Sequence, residues 1–233
     1  MIILSVDTSA KTASTALCRD GTILAESFVN TGLTHSQTLV PMIDDMLKNA
    51  AVSINEVDLL TAVIGPGSFT GLRIGISAIK GMALASDKPC TGVSSLLAAS
   101  YNLTLTDCIA CCVMDARCEQ VYNALFEVKD GSITRLCEDR AICLEDLREE
   151  LKNIGQKIIL TGDGTDISYD FFKDKTDNVF LPPPQLKYQR ASGAALASFL
   201  LPGCEQVSGS SLMPVYLRLP QAERNLKAGL ARI

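Results

Sequence analysis

Apolar and polar positions alternate along most of the first thirty residues, a pattern typical of β-strands that face a core on one side. The Asp20-Gly21 pair between the second and third segments has the composition of a tight hairpin turn. From Ser36 to Ala50 the apolar residues recur at helical spacing, yet they cover more than one stripe of the helix surface. We therefore expect a helix that contacts a partner as well as its own core. The three predicted strands are residues 1–7, 13–19 and 22–29.

A glycine-rich turn follows a short, β-branched strand at residues 61–64. The residues of this turn, Gly65-Pro66-Gly67, continue neither a strand nor a helix, so the chain must change direction there. Ser68 or Thr70 can then cap a helix that extends to Ala85.

Within this helix, Gly71, Gly75 and Ala78 form a stripe that lacks bulky side chains. Because a glycine inside a helix costs about 1 kcal/mol relative to alanine, the stripe predicts the close approach of another backbone. The loop from Gly65 to Thr70 has a second interpretation, an anion cradle at a helix N-terminus. It lacks the Lys-Ser/Thr of a P-loop and the dinucleotide spacing G-x-G-x-x-G, so the packing interpretation is favoured.

The strand and hairpin pattern of the first thirty residues recurs after residue 103. Asp115 then matches Asp7, and Gly131 matches Gly21, at the ends of equivalent segments. An internal repeat of this length predicts two similar α/β lobes with a ligand cleft between them. We place the lobes at residues 1–103 and 104–233, with the tail from about residue 205 packed back on the first lobe. The remaining predicted elements are strands at 89–93, 107–114, 120–128, 132–137 and 157–160, helices at 94–103, 144–151 and 189–200, and an extended link at 182–184.

Composition excludes several classes of protein. The 233 residues are 47% hydrophobic, with a mean hydropathy of +0.22, which is typical of a globular chain. A net charge of −5 without any cluster of Lys and Arg argues against a chain that grips nucleic acid by itself. Nine cysteines and no secretion signal predict reduced thiols in a cytoplasmic protein, and the apolar runs are too short to span a membrane.

Asp7 and Asp115 are the first candidates for chemistry, because each ends the first strand of its lobe. A pair of carboxylates at a cleft is suited to a Mg²⁺-bound nucleotide. Alternatively, each carboxylate accepts hydrogen bonds from the turn that follows it. For Asp115 the nearby Arg117 favours the second interpretation, whereas the two interpretations stay open for Asp7.

Other candidate sites are weak. His35 is the only histidine, which argues against a His-based metal centre and favours a cap or a surface contact. Cys108 and Cys111 have redox or zinc spacing, but on a strand their side chains point to opposite faces.

Several motifs together resemble the bacterial TsaB (YeaZ) family, and the match extends over nearly the whole chain. The segment GPGSFTGLRIG is the most specific of them. The motifs are DTS at 7–9, HSQTLVPMIDDML at 35–47, GPGSFTGLRIG at 65–75 with the following AIKGMALA, VSSL at 93–96, DARCEQVYNALF at 115–126 and PVYLR at 214–218.

The resemblance implies the actin/hexokinase-like (ASKHA) ATPase fold, with two lobes that each hold a mixed β-sheet flanked by helices. It also implies a scaffold role in the synthesis of threonylcarbamoyladenosine at the tRNA adenosine 3′ of the anticodon. The expected partners are the catalytic paralogue TsaD, in a heterodimer, and TsaE in a larger complex. We expect a homodimer when TsaD is absent, contact with tRNA only through the complex, and no membrane association.

The metal ligands of TsaD have no counterpart here, because the equivalent segment reads VSSLLAAS without histidine. We therefore expect no catalytic residue, no metal site and no required cofactor, with ATP or ADP bound only weakly or within the complex. Two alternatives stay open: an independent ATPase, and an M22-type glycoprotein endopeptidase, which the single histidine disfavours. The predicted weak nucleotide site is Asp7, Thr8, Ser9 and Asp115. The predicted partner interface is Leu39, Ile43, Met46, Gly71, Leu72, Gly75 and Ile76.

Overall fold

The computed structural model describes residues 1–201 and 205–218. The predicted tail beyond residue 218 lies outside the described residues. In the first half of the chain the elements are β1 (Ile2–Asp7), β2 (Ala13–Arg19), β3 (Thr22–Val29), α1 (His35–Asn49), a 3₁₀ turn (Ile54–Glu56), β4 (Leu59–Gly65), α2 (Phe69–Ser86), β5 (Cys90–Ser94), α3 (Ser95–Ser100) and a 3₁₀ turn (Tyr101–Leu103).

In the second half the same succession begins again with a hairpin. Its elements are β6 (Cys108–Asp115), β7 (Gln120–Lys129), β8 (Ser132–Arg135), β9 (Arg140–Cys143), α4 (Leu144–Lys152), β10 (Ile158–Thr161), α5 (Thr165–Phe172), β11 (Val179–Phe180), a 3₁₀ turn (Pro184–Leu186) and α6 (Ala191–Leu200).

Two mixed sheets with matching strand order confirm the predicted internal repeat. The first sheet has the order β3-β2-β1-β4-β5, and the second has the order β11-β10-β6-β7-β8, with β9 also paired to β7. In each sheet the first three strands form antiparallel pairs, while the later strands run parallel to the first. Asp7 and Asp115 therefore end equivalent central strands.

Two helices pack against the sheet of the other half. The late helix α6 lies on β1 and β2, where the Ser5 hydroxyl donates to the Ala191 carbonyl (2.7 Å) and the Ala191 amide donates to the Ser14 hydroxyl (2.9 Å). Conversely, α3 packs on β6 and β7. We therefore use "first lobe" for the first sheet with α1, α2 and α6, and "second lobe" for the second sheet with α3, α4 and α5.

Most predicted elements are confirmed, and β2 and β3 have the predicted bounds. The predicted helix at 94–103 is shorter, since it gives way to a 3₁₀ turn at Tyr101. Strand β8 also ends early, because Cys137 leaves the ladder and its sulfur accepts the Leu125 amide (3.2 Å). The strands β9 and β11 and the helix α5 were not predicted.

The cores lie on both faces of each sheet. One cluster fills the space between the first sheet and helices α1 and α2, around Leu4, Leu60 and Ile79. In the second lobe, Cys108 belongs to one cluster and Cys111 to the cluster on the opposite face, as predicted for neighbours on a strand. Both are free thiols.

Candidate functional site

Asp7 closes the turn after β1. Its side chain is 2% exposed, and one carboxylate oxygen accepts both the Ser9 amide (2.8 Å) and the Ser9 hydroxyl (2.6 Å). The other oxygen is buried without a hydrogen-bond partner among the described residues. Burial raises the pKa of this carboxyl, and the two Ser9 hydrogen bonds oppose the rise. This geometry matches the turn interpretation of Asp7.

Thr8 fixes the position of α2 on the first sheet. Its hydroxyl donates to the Gly71 carbonyl (2.8 Å). A Cβ atom at Gly71 would lie 2.1 Å from the Thr8 carbonyl oxygen, and one at Gly75 would lie 2.4 Å from the Thr8 hydroxyl. The predicted close approach is therefore present, and the neighbouring backbone is that of Thr8, the residue after β1 in this chain.

The turn from Gly65 to Ser68 joins β4 to α2. The Ser68 amide donates to the Ser9 carbonyl (2.7 Å), and the Ser68 hydroxyl accepts the Gly71 amide (3.2 Å). Ser68, rather than Thr70, is therefore the N-cap of α2. The loop is closed by contacts within the chain, in agreement with the packing interpretation.

A cavity of about 450 Å³ lies between the two lobes. Ser9 and Lys11 line it from the first lobe, and Asp115 and Asp163 line it from the second. Asp7 and Thr8, which were predicted to join Ser9 and Asp115 in a nucleotide site, do not line this cavity. The cleft thus brings only half of the predicted site residues together.

Asp115 has the local partner that its sequence predicted. One carboxylate oxygen accepts the Arg117 amide (2.7 Å), and the other lies 3.5 Å from the Arg117 guanidinium. Arg117 has a positive φ of 67°, and the next two residues share that left-handed conformation. This tight turn orients Arg117 towards Asp115 at the mouth of the cleft.

Asp163, the other acidic residue that lines the cleft, was not among the predicted site residues. Burial raises its pKa to about 6, a hydrogen bond from the Asp115 amide opposes the rise, and the Asp115 charge adds to it. Asp163 lies two residues after β10, which runs parallel to β6. Because parallel neighbouring strands end at the same edge of a sheet, an acidic residue just after β10 could have been expected near Asp115.

A second cavity, the α1–α2 groove, lies on the outer surface of the first lobe. Its volume is about 620 Å³, and its lining is mostly apolar. Val40, on α1, is 60% exposed beside it, and Ile74 and Ala78 line it from α2. Along the same outer face of α2, a Cβ at Gly81 would meet no described atom within 4 Å. A second row of small side chains, Ser77 and Gly81, therefore faces outwards.

The seven residues predicted for the partner interface all lie on α1 or α2, on faces that pack inside this chain. These faces belong to the core of the first lobe, although Leu39 also lines the groove. The residues are Leu39, Ile43, Met46, Gly71, Leu72, Gly75 and Ile76. The exposed residues of the two helices, such as Val40 and Ser77, lie on the other side, beside the groove.

His35 begins α1 and borders the groove. One ring nitrogen lies 2.8 Å from the Ala10 carbonyl, so the side chain ties α1 to the loop after β1. The N-cap is Thr34, so His35 is not the cap.

Across residues 1–201 and 205–218, no three His, Cys, Asp or Glu side chains gather in a way that could hold a metal ion. No described helix is both long and apolar enough to cross a bilayer.

Two lobes with matching mixed sheets and a cleft between them define the actin-like ATPase (ASKHA) fold. Component A of the (R)-2-hydroxyglutaryl-CoA dehydratase of Acidaminococcus fermentans shares this fold, with a TM-score of 0.51 at 13% identity over 85% of this chain and 98% of that chain. YeaZ from Pseudomonas aeruginosa is more similar, with a TM-score of 0.75 at 23% identity over 93% of this chain and 99% of that chain.

Sequence comparison identifies the family. The family model described as "TsaD: tRNA N6-adenosine threonylcarbamoyltransferase" matches residues 29–225. The chain is 31% identical over 224 residues to the Bacillus subtilis tRNA threonylcarbamoyladenosine biosynthesis protein TsaB, and the match covers 96% of each. The chain belongs to the TsaB (YeaZ) family, as the motifs predicted.

Proposed function

We propose that this chain is a non-catalytic scaffold in the biosynthesis of tRNA threonylcarbamoyladenosine. It pairs with the threonylcarbamoyltransferase TsaD and supports the transfer to the adenosine 3′ of the anticodon, and TsaE joins the larger complex. The tRNA reaches the chain only through that complex. Family membership supports the pathway, and the match to the TsaD model supports a partner of similar fold.

The α1–α2 groove is the observation that carries the proposed pairing. Val40 exposes most of its apolar surface there, although burial of a valine side chain is worth about 1.5 kcal/mol or more. Ser77 and Gly81 place little or no side chain on the outer face of α2, so a helix of a partner can approach the backbone closely at these two positions. A helix pair from a partner of related fold is suited to this surface. A second copy of the chain offers the same helices, which supports a homodimer in the absence of TsaD.

The proposed role requires no nucleotide and no metal from this chain. Asp7 does not line the cleft and accepts both Ser9 hydrogen bonds through one oxygen, and the Asp115 carboxylate is paired with Arg117, which supports a role without a Mg²⁺-nucleotide at these residues. ATP or ADP binds weakly or only within the complex. Calorimetric titration of the purified chain with MgATP tests the proposed weak binding. A micromolar dissociation constant would contradict weak binding.

The pairing is tested by mixing the purified chain with TsaD from the same genome. Size-exclusion chromatography with light scattering measures the mass that elutes. A one-to-one heterodimer that replaces a homodimer is the expected result. Separate elution of the two proteins at micromolar concentration would contradict the proposed function.

A further inference from the structure

The segment 205–218, which we call the C-terminal strap, runs along the first lobe. Val207 pairs with Cys90 at the edge of the first sheet, through hydrogen bonds of 2.8 and 2.9 Å. The Lys80 ammonium then donates to the carbonyls of Ser210 and Leu212, both at 3.2 Å. Leu212 is 3% exposed, so the strap is anchored in the core before it reaches the cleft.

At the cleft the strap connects the two lobes. The Val215 amide donates to the Ile64 carbonyl (2.8 Å) at the end of β4. A Cβ at Gly65 would lie 2.3 Å from the Val215 carbonyl oxygen, and Gly65 has a φ of +129°, so a glycine is required there. Three residues later, the Arg218 guanidinium donates to the Ala116 carbonyl (2.5 Å) in the turn after β6. One end of this short segment is thus bound to each lobe.

Tyr216, between these two anchors, contacts the residues that separate the cleft from the α1–α2 groove. Its ring stacks on Phe69, with centroids 4.6 Å apart, and its hydroxyl accepts the Arg73 Nε (3.0 Å). The Arg73 guanidinium lies 3.8 Å from the centroid of the same Phe69 ring. Phe69 lines both cavities, and Arg73 lines the groove. The strap therefore shares two side chains with the surface proposed for the partner.

We propose that the strap is a latch between the lobes, and that a partner in the groove releases it by taking Phe69 and Arg73 away from Tyr216. The release by a partner rests on the proposed function. The link from Arg73 through Tyr216 to the strap, and from the strap through Arg218 to the second lobe, is a property of the chain alone. A partner that covers the groove competes for the face of Phe69 and for the Arg73 guanidinium. Once Tyr216 loses both, the strap is held beside the cleft by the Val215 hydrogen bond to the first lobe and the Arg218 hydrogen bond to the second.

Hydrogen–deuterium exchange of the full-length chain, read by NMR at single amides, tests the connection without a partner. In Arg73→Met, we expect the Val215 amide and the Ala116–Gln120 turn to exchange about tenfold faster, the effect of losing one hydrogen bond. Arg218→Met should accelerate exchange at the same two places. Arg19→Met, an exposed change at the end of β2, serves as the control and should change neither. If Arg73→Met stays within twofold of wild type at both places, the latch is wrong.

Addition of TsaD then tests the release. Exchange at Val215 should become at least about threefold faster in the complex, because the opening that exposes this amide becomes more populated. If TsaD binds and exchange at Val215 is unchanged or slower, the release is wrong while the scaffold proposal stands. If TsaD does not bind, the scaffold proposal fails, and the Arg73→Met result alone decides whether Arg73 holds the strap.

Discussion

Gly71 lies so close to Thr8 that a Cβ atom at position 71 would stand 2.1 Å from the Thr8 carbonyl oxygen. This contact presses α2 against the end of β1, and it explains why a helix in this position contains glycines. Gly75 repeats the contact one turn later, against the Thr8 hydroxyl. Gly75→Leu is therefore expected to disrupt the fold of the chain itself.

Alanine substitutions at two glycines of α2 should have opposite effects on stability. Gly71→Ala is expected to lower the free energy of unfolding by about 1–3 kcal/mol, because the added methyl overlaps backbone that cannot move aside. Gly81→Ala should raise it by up to about 1 kcal/mol, since its Cβ meets open space and alanine is the better helix former. Urea unfolding followed by circular dichroism measures both. Equal changes in the free energy of unfolding would contradict the conclusion that Gly71 lies on the buried face of α2 and Gly81 on its exposed face.

Asp163 should make the chain less stable as the pH rises through the weakly acidic range. Its pKa is about 6 in the folded chain and about 3.9 when unfolded, so the folded chain binds the proton more tightly. This contribution is fully present below about pH 4 and is lost as the pH rises to about 6, at a cost on the order of 1–3 kcal/mol. Asp163→Asn, which cannot ionise, should flatten this part of the stability profile.

The measurement for Asp163 is the urea midpoint of wild type and variant at pH 4.5 and pH 7.5. Asp45→Asn, on the exposed face of α1, is the matched control and should leave the profile unchanged. If Asp163→Asn leaves the dependence of stability on pH unchanged, the Asp163 carboxyl has the same pKa in the folded and unfolded chain, which would contradict this prediction.

The strand thiols should be unreactive in the folded chain. Burial raises the pKa of Cys108 to about 11 and that of Cys111 to about 12, so almost no reactive thiolate exists at pH 8. Cys118 is exposed in the turn after β6 and should react with iodoacetamide faster than the strand thiols. Peptide mass spectrometry after timed alkylation measures the order, and Cys118→Ser should remove one fast-reacting site. Modification of Cys108 or Cys111 at the rate of Cys118 would contradict the packing of β6.

Local signals were sufficient for most of the fold. The bounds of β2 and β3 follow from the alternation on both sides of Asp20-Gly21, and the repeat follows from the second copy of that hairpin. Helix α5 was not predicted because it has only eight residues and no side-chain cap that would mark its start. Strand β11 has only two residues, and its place is decided by pairing with β10, a long-range contact that no local pattern encodes.

The site was harder to predict because α2 carries small residues on two faces. Spacing alone grouped Gly71, Gly75 and Ala78 into one stripe, but it could not tell that the two glycines meet Thr8 while Ala78 lines the groove. Ser77 and Gly81 form the outer row, and only the packing of the helix distinguishes the two. The contact between Phe69 and Tyr216 is likewise a long-range contact, which joins α2 to a segment near the end of the chain.

The affinity of TsaD for Gly81→Leu tests the pairing through the α1–α2 groove most directly. Isothermal titration calorimetry would compare wild type, Gly81→Leu and Gly155→Leu, the last a glycine whose Cβ also meets open space but which lies in the second lobe after α4. We expect Gly155→Leu to bind as wild type and Gly81→Leu to bind about tenfold or more weakly, because overpacking a close helix contact costs about 1–3 kcal/mol. Wild-type affinity in Gly81→Leu, with the fold intact by circular dichroism, would contradict the proposed pairing surface.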